Sequence, residues 1–95
     1  MTKQEQYDMI DSTLETFSNL MRKRLRSKVD ENPDGWRDAK LSDLIDRLAL
    51  AAVHLETMPK ENMADLPRVI TTAVDAANYA MMIEDHQVRK LVGKI

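Results

Sequence analysis

The chain has 95 residues, a net charge of −2 and no cysteine, which suits a single domain over 1–95 and excludes disulfides and thiolate metal sites. Hydrophobic residues at 43% and charged residues at 32% are the balance of a folded helical protein, not of a disordered one. Nothing in the sequence reaches the run of about 18 apolar residues that a membrane span needs, and no signal-peptide core is present. The expectation is therefore a cytoplasmic protein with no membrane partner.

The first predicted helix covers about residues 3 to 28. Tyr7, Ile10, Leu14, Phe17, Met21 and Leu25 recur at steps of three and four and draw an apolar stripe along it. Glu5 and Asp8 lie in its first turns, and Arg22, Lys23, Arg24, Arg26 and Lys28 in its last, the order that the helix dipole favours. The segment Asp30-Glu31-Asn32-Pro33-Asp34-Gly35 then breaks the helix, because Pro33 disfavours helical geometry at Asn32 and Gly35 tolerates a positive φ.

A second helix is predicted from Asp38 or Ser42, both good N-caps, to Pro59, with Leu41, Leu44, Ile45, Leu48, Ala52, Leu55 and Met58 on one face. The third begins near Pro67, with Asp65 as its candidate cap, and carries Leu66, Val69, Ile70, Ala73, Val74, Ala77, Ala80, Met81 and Ile83. It is apolar over more than half its circumference, so a second cover is expected, most simply from another subunit. Val88 to Ile95 either extend this helix or fray. Seven methionines against one phenylalanine predict an adaptable interior or a Met-rich contact surface. The fold class is all-α: a three-helix antiparallel chain completed by oligomerisation as a homodimer or homotetramer.

Three groups of residues carry a further resemblance: Gly35-Trp36, Asp46-Arg47-Leu48, and the run from Asp75 to Asp85, which reads D-x-x-N-Y-A-M-M-I-x-D. Together they resemble the small phage-type MazG-like nucleotide pyrophosphohydrolases over about Phe17 to Asp85. The resemblance implies a MazG-like helical bundle and a phage origin, which would place the protein in the host cytoplasm. In that family, E-E-x-x-E on one helix and E-x-x-D on the next hold Mg²⁺, which neutralises a triphosphate and activates water. Laid on that pattern, the first motif falls on Leu50, Ala51 and His54 and the second on Thr72 and Asp75, so one acid of five is kept. One carboxylate is too few for Mg²⁺. The expectation is a non-catalytic member, with no cofactor, that binds a nucleotide or a host protein. Under the alternative of an active pyrophosphohydrolase, Mg²⁺ is the cofactor and Asp75 the metal ligand.

The candidate nucleotide-binding residues are Trp36, Arg47, His54, Asp75 and Asn78. If the implied fold holds, His54 lies near Asp75 and can pair with it; it can equally face solvent, or contact a ligand. Trp36 can stack on a base or cap the bundle. Asn78 can bind a nucleotide or tie helices together, and Asp85 suits an ion pair with Arg89 four residues on. Arg22, Lys23 and Arg26 are candidate phosphate or partner contacts, and as a second alternative the whole basic run from Arg22 to Lys28 is the interface of a small nucleic-acid binder. Their spread around the helix fits a solvated helix end better, so nucleic acid is not the expected partner. No P-loop, dinucleotide-binding glycines, zinc spacing or nucleophile triad occurs.

Overall fold

Thr2 sets the start of the first helix: its Oγ1 accepts the Glu5 backbone N–H at 3.1 Å, satisfying one of the donors that a helix N-terminus leaves without a partner. From there the chain runs as α1 (Lys3–Val29). The computed structural model describes residues 1–31 and 35–93. Asn32, Pro33 and Asp34, at the centre of the expected break, and the terminal Lys94 and Ile95 lie outside the described residues. Gly35 adopts φ +77°, the positive value expected of it.

The second helix, α2 (Leu41–Thr57), begins between its two candidate caps, Asp38 and Ser42. The Ala39 N–H donates to the Trp36 carbonyl at 3.1 Å, and this turn leaves Asp38 before the helix. Ser42 is already inside the first turn, and Lys40 occupies the N-cap position without a side-chain cap. At the other end the Lys60 ammonium donates to the carbonyls of Leu55, Glu56 and Met58 at 2.8, 2.9 and 3.0 Å. A cation thus closes the negative end of α2 and occupies carbonyls that would otherwise face water.

A single 3-10 turn at Met63–Asp65 leads into α3 (Leu66–Leu91). Asp65 acts one step earlier than predicted: it forms a reciprocal capping box with Asn62 on the turn, with no side-chain hydrogen bond onto α3 itself. Pro67 lies in the first turn of α3, where its missing N–H costs nothing.

The elements are all helical, with no strand among the described residues. α2 folds back along α3, and their facing side chains form the core: Leu44, 1% exposed, with Ala51, Met58, Val74, Asn78 and Met82. α1 contributes no fully buried residue. It packs on α3 through its second half, where Phe17, Met21, Arg24, Leu25 and Lys28 are half-buried. The second side of α3, for which the sequence suggests another subunit, is therefore met in part by α1 of the same chain. An uncovered apolar stripe also lies on the first half of α1, where Tyr7, Ile10 and Leu14 are 54%, 53% and 58% exposed. This overhang gives a radius of gyration of 15.7 Å, against about 12 Å for a compact chain of this length. None of the helices is long and apolar enough to cross a membrane, among the described residues.

Candidate functional site

Asp75 sits on the face of α3 that turns towards α1, and two cations one turn apart on α1 reach it. Arg24 Nε donates to Asp75 Oδ1 at 2.9 Å and Arg24 Nη2 to Oδ2 at 3.3 Å, a two-pronged grip that suits the planar guanidinium. The Lys28 ammonium lies 3.8 Å from Oδ1. The hydrogen bond to Asp75 raises the Arg24 pKa above the ordinary arginine value, against the opposing effect of burial.

His54 is exposed on α2, and the charge partners of Asp75 are Arg24 and Lys28. The two residues nonetheless line the same cleft. Arg47, Leu50, Ala51 and His54 of α2 face Thr72, Asp75 and Tyr79 of α3 across about 170 Å³. All five positions onto which the acid motifs fall, Leu50, Ala51, His54, Thr72 and Asp75, are in this lining. The chain thus gathers those positions in one place and fills four of them with leucine, alanine, histidine and threonine. Asp75 is the one carboxylate among the residues of this lining, and two cations already neutralise it.

A second cleft of about 220 Å³ adjoins the first and shares Arg47 and Tyr79 with it. Its walls add Trp36 and Met82, with Leu25, Lys28 and Val29 from α1 and the acidic Glu31 from the turn that follows it. The Lys28 ammonium stands 6.0 Å from the centroid of the Tyr79 ring, so this one side chain touches both the carboxylate of the first cleft and an aromatic wall of the second. Trp36 is half-buried beneath the Arg37 guanidinium, 5.6 Å from its ring. The loop that carries Trp36 is tied to α3 by Asp85. Its carboxylate accepts from Arg37 Nη2 at 3.1 Å and from Arg89 Nε at 3.0 Å, and Arg89 Nη2 donates on to the Arg37 carbonyl at 3.3 Å. The expected Asp85–Arg89 pair is present, and Arg37 turns it into a brace between loop and helix.

The structure thus brings together four of the candidate nucleotide-binding residues, Trp36, Arg47, His54 and Asp75, and places the fifth elsewhere. Asn78 is buried, 3% exposed, and outside the lining of both clefts. Its Nδ2 donates to the Met21 carbonyl of α1 at 3.3 Å, and its Oδ1 has no hydrogen-bond partner among the described residues. Of the basic residues proposed for phosphate or partner contact, Arg22 donates to Asn19 Oδ1 at 3.0 Å, and Arg22, Lys23 and Arg26 are all exposed. The cations that do enter the site, Arg24 and Lys28, were not singled out by the sequence reading, although their one-turn spacing beside Met21 and Leu25 on the apolar stripe is a usable signal.

Chemically, the paired clefts offer two aromatic walls, Trp36 and Tyr79, with Lys28 and Arg47 at their junction and the His54 imidazole at the far end. That is a setting for a flat, partly apolar group joined to an anionic one. Comparison with protein-family models, with curated proteins and with solved structures returned no match.

Proposed function

We propose that this chain is a non-catalytic MazG-like helical protein that binds a nucleotide in the paired clefts between α2, α3 and the end of α1. The observation that carries the reading is the occupation of the five acid-motif positions: they line one cleft, yet the lone carboxylate among them is held by Arg24 and Lys28. A carboxylate already paired with two cations is a poor ligand for a hard divalent cation, which needs several free oxygens. Cations in the same place favour phosphate directly. In this reading Trp36 and Tyr79 bracket the base while Lys28 and Arg47 receive the phosphates, and His54 lies within the same groove.

Trp36 is the single tryptophan of the chain, so its fluorescence reports on the site without labelling. Titration with a panel of nucleoside mono-, di- and triphosphates is expected to quench or shift its emission saturably. Arg47→Ala, which removes an exposed side chain, is expected to weaken that response by about tenfold, the value of one charge-assisted contact. A flat titration across the whole panel overturns the proposal, and turnover with pyrophosphate release replaces it with the hydrolase reading.

A further inference from the structure

Glu31 is the one acid in the lining of the second cleft. It stands in the turn just past the end of α1, where the negative end of the helix disfavours a carboxylate, and it forms no ion pair among the described residues. The helix gains nothing from an acid at this position. Within the cleft, however, the acid sets a direction, because a carboxylate repels phosphate and the cations lie elsewhere. Arg47 and Tyr79 belong to both clefts, and Lys28 reaches the carboxylate of the first, whereas Glu31, Trp36 and Met82 line the second alone. A nucleotide whose phosphates rest on Lys28 and Arg47 therefore keeps its ribose at the junction and turns its base into the second cleft. There the ring meets Trp36 and the apolar wall, and its outer edge meets Glu31.

Resting on the nucleotide reading of the clefts, we propose that Glu31 selects the base by accepting N–H donors from its edge, and that guanine nucleotides are the ligand class. An ionised carboxylate only accepts hydrogen bonds, through two oxygens side by side. Guanine offers a ring N–H and an exocyclic amino group side by side, a pair of parallel donors that fits both oxygens as the fork of an arginine does. Adenine and cytosine each offer one amino donor beside a ring nitrogen that is itself an acceptor. Uracil offers one ring N–H between two carbonyls. Each of these sets at least one lone pair against the carboxylate, and a polar group left without its partner is what rejects the wrong ligand. Glu31 is exposed, so water competes and each donor is worth about tenfold in affinity.

Calorimetric titration of the full chain with guanosine, inosine, adenosine and uridine triphosphates tests the proposal. Guanosine triphosphate is expected to bind tightest, and inosine triphosphate, which lacks only the amino group, about tenfold more weakly. Glu31→Ala changes an exposed turn residue and is expected to bring guanosine triphosphate down to the inosine level or below, with adenosine triphosphate shifted by no more than about twofold. Glu31→Gln keeps the size, turns one acceptor into a donor, and is expected to lose the preference as well. Equal binding of all four ligands, or a preference for guanine that survives Glu31→Ala, overturns the proposal and leaves the nucleotide reading standing. A wild type that binds 2′-deoxyguanosine triphosphate more weakly than guanosine triphosphate, by a margin that Glu31→Ala removes, places the carboxylate on the ribose and also overturns it. Absence of binding by every nucleotide overturns both readings together, so the two failures are told apart.

Discussion

Arg24 of α1 grips Asp75 of α3 through hydrogen bonds of 2.9 and 3.3 Å, and this pair holds the first helix to the rest of the molecule at the edge of the candidate site. Both side chains are part-exposed, 39% and 21%, so water weakens the interaction without removing it.

Breaking that grip is expected to cost about 1 kcal/mol at low salt, as a two-pronged and part-buried pair does. A double-mutant cycle of Arg24→Met and Asp75→Asn, read by urea denaturation, is expected to show a coupling of that size, shrinking as salt rises. The raised Arg24 pKa means that the contribution is fully present below the ordinary arginine value and is lost only as pH climbs through the raised one. Titration of Arg24 should therefore leave the stability gap between wild type and Arg24→Met constant from about pH 7 to pH 9.

Asn78 is expected to matter for folding and not for ligand contact. It is buried, joins α3 to the Met21 carbonyl of α1, and sits among apolar neighbours such as Val74 and Met82. Asn78→Ala should lower stability by about 1–3 kcal/mol through the lost hydrogen bond and the space left behind. Asn78→Asp should cost more, since it buries a charge beside a carbonyl. Thermal denaturation of the two variants checks the order, and nucleotide affinity measured below their melting temperatures should stay within about twofold of wild type.

Asp85 is expected to act on Trp36 at a distance. Its carboxylate fixes Arg37, whose guanidinium lies over the Trp36 ring, and fixes Arg89, which holds the Arg37 carbonyl. Asp85→Asn keeps the size and removes the charge, so the loop should loosen. Trp36 emission should move to longer wavelength as the ring gains water, with a loss of stability of about 1 kcal/mol. An unchanged emission spectrum would show that Trp36 is held by packing alone.

Much of the helical layout was legible because it follows from periodicity and turn chemistry. The stripe from Tyr7 to Leu25 marked α1, Pro59 marked the end of α2 and Pro67 the start of α3, and all three helices appear. The start of α2 falls between the two candidate caps, and neither caps it, because the turn that Trp36 and Ala39 close leads the chain in at Lys40. Another subunit was expected over the second face of α3, and α1 of the same chain supplies part of that cover, because an apolar face shows that something packs there, not which chain supplies it. In the site, Leu50, Ala51, His54, Thr72 and Asp75, the positions on which the resemblance sets its acid motifs, line one cleft. The role of Arg24 was not legible, because five cations in seven residues look alike until a crossing helix selects the two that point inwards.

The most direct test of the account is calorimetric titration of the protein with a nucleoside triphosphate, once with Mg²⁺ and once with EDTA. If Lys28 and Arg47 have taken over the task of divalent ions, binding is equally strong in both buffers and falls about tenfold in Lys28→Ala. Binding that appears only with Mg²⁺, accompanied by release of pyrophosphate, would contradict it.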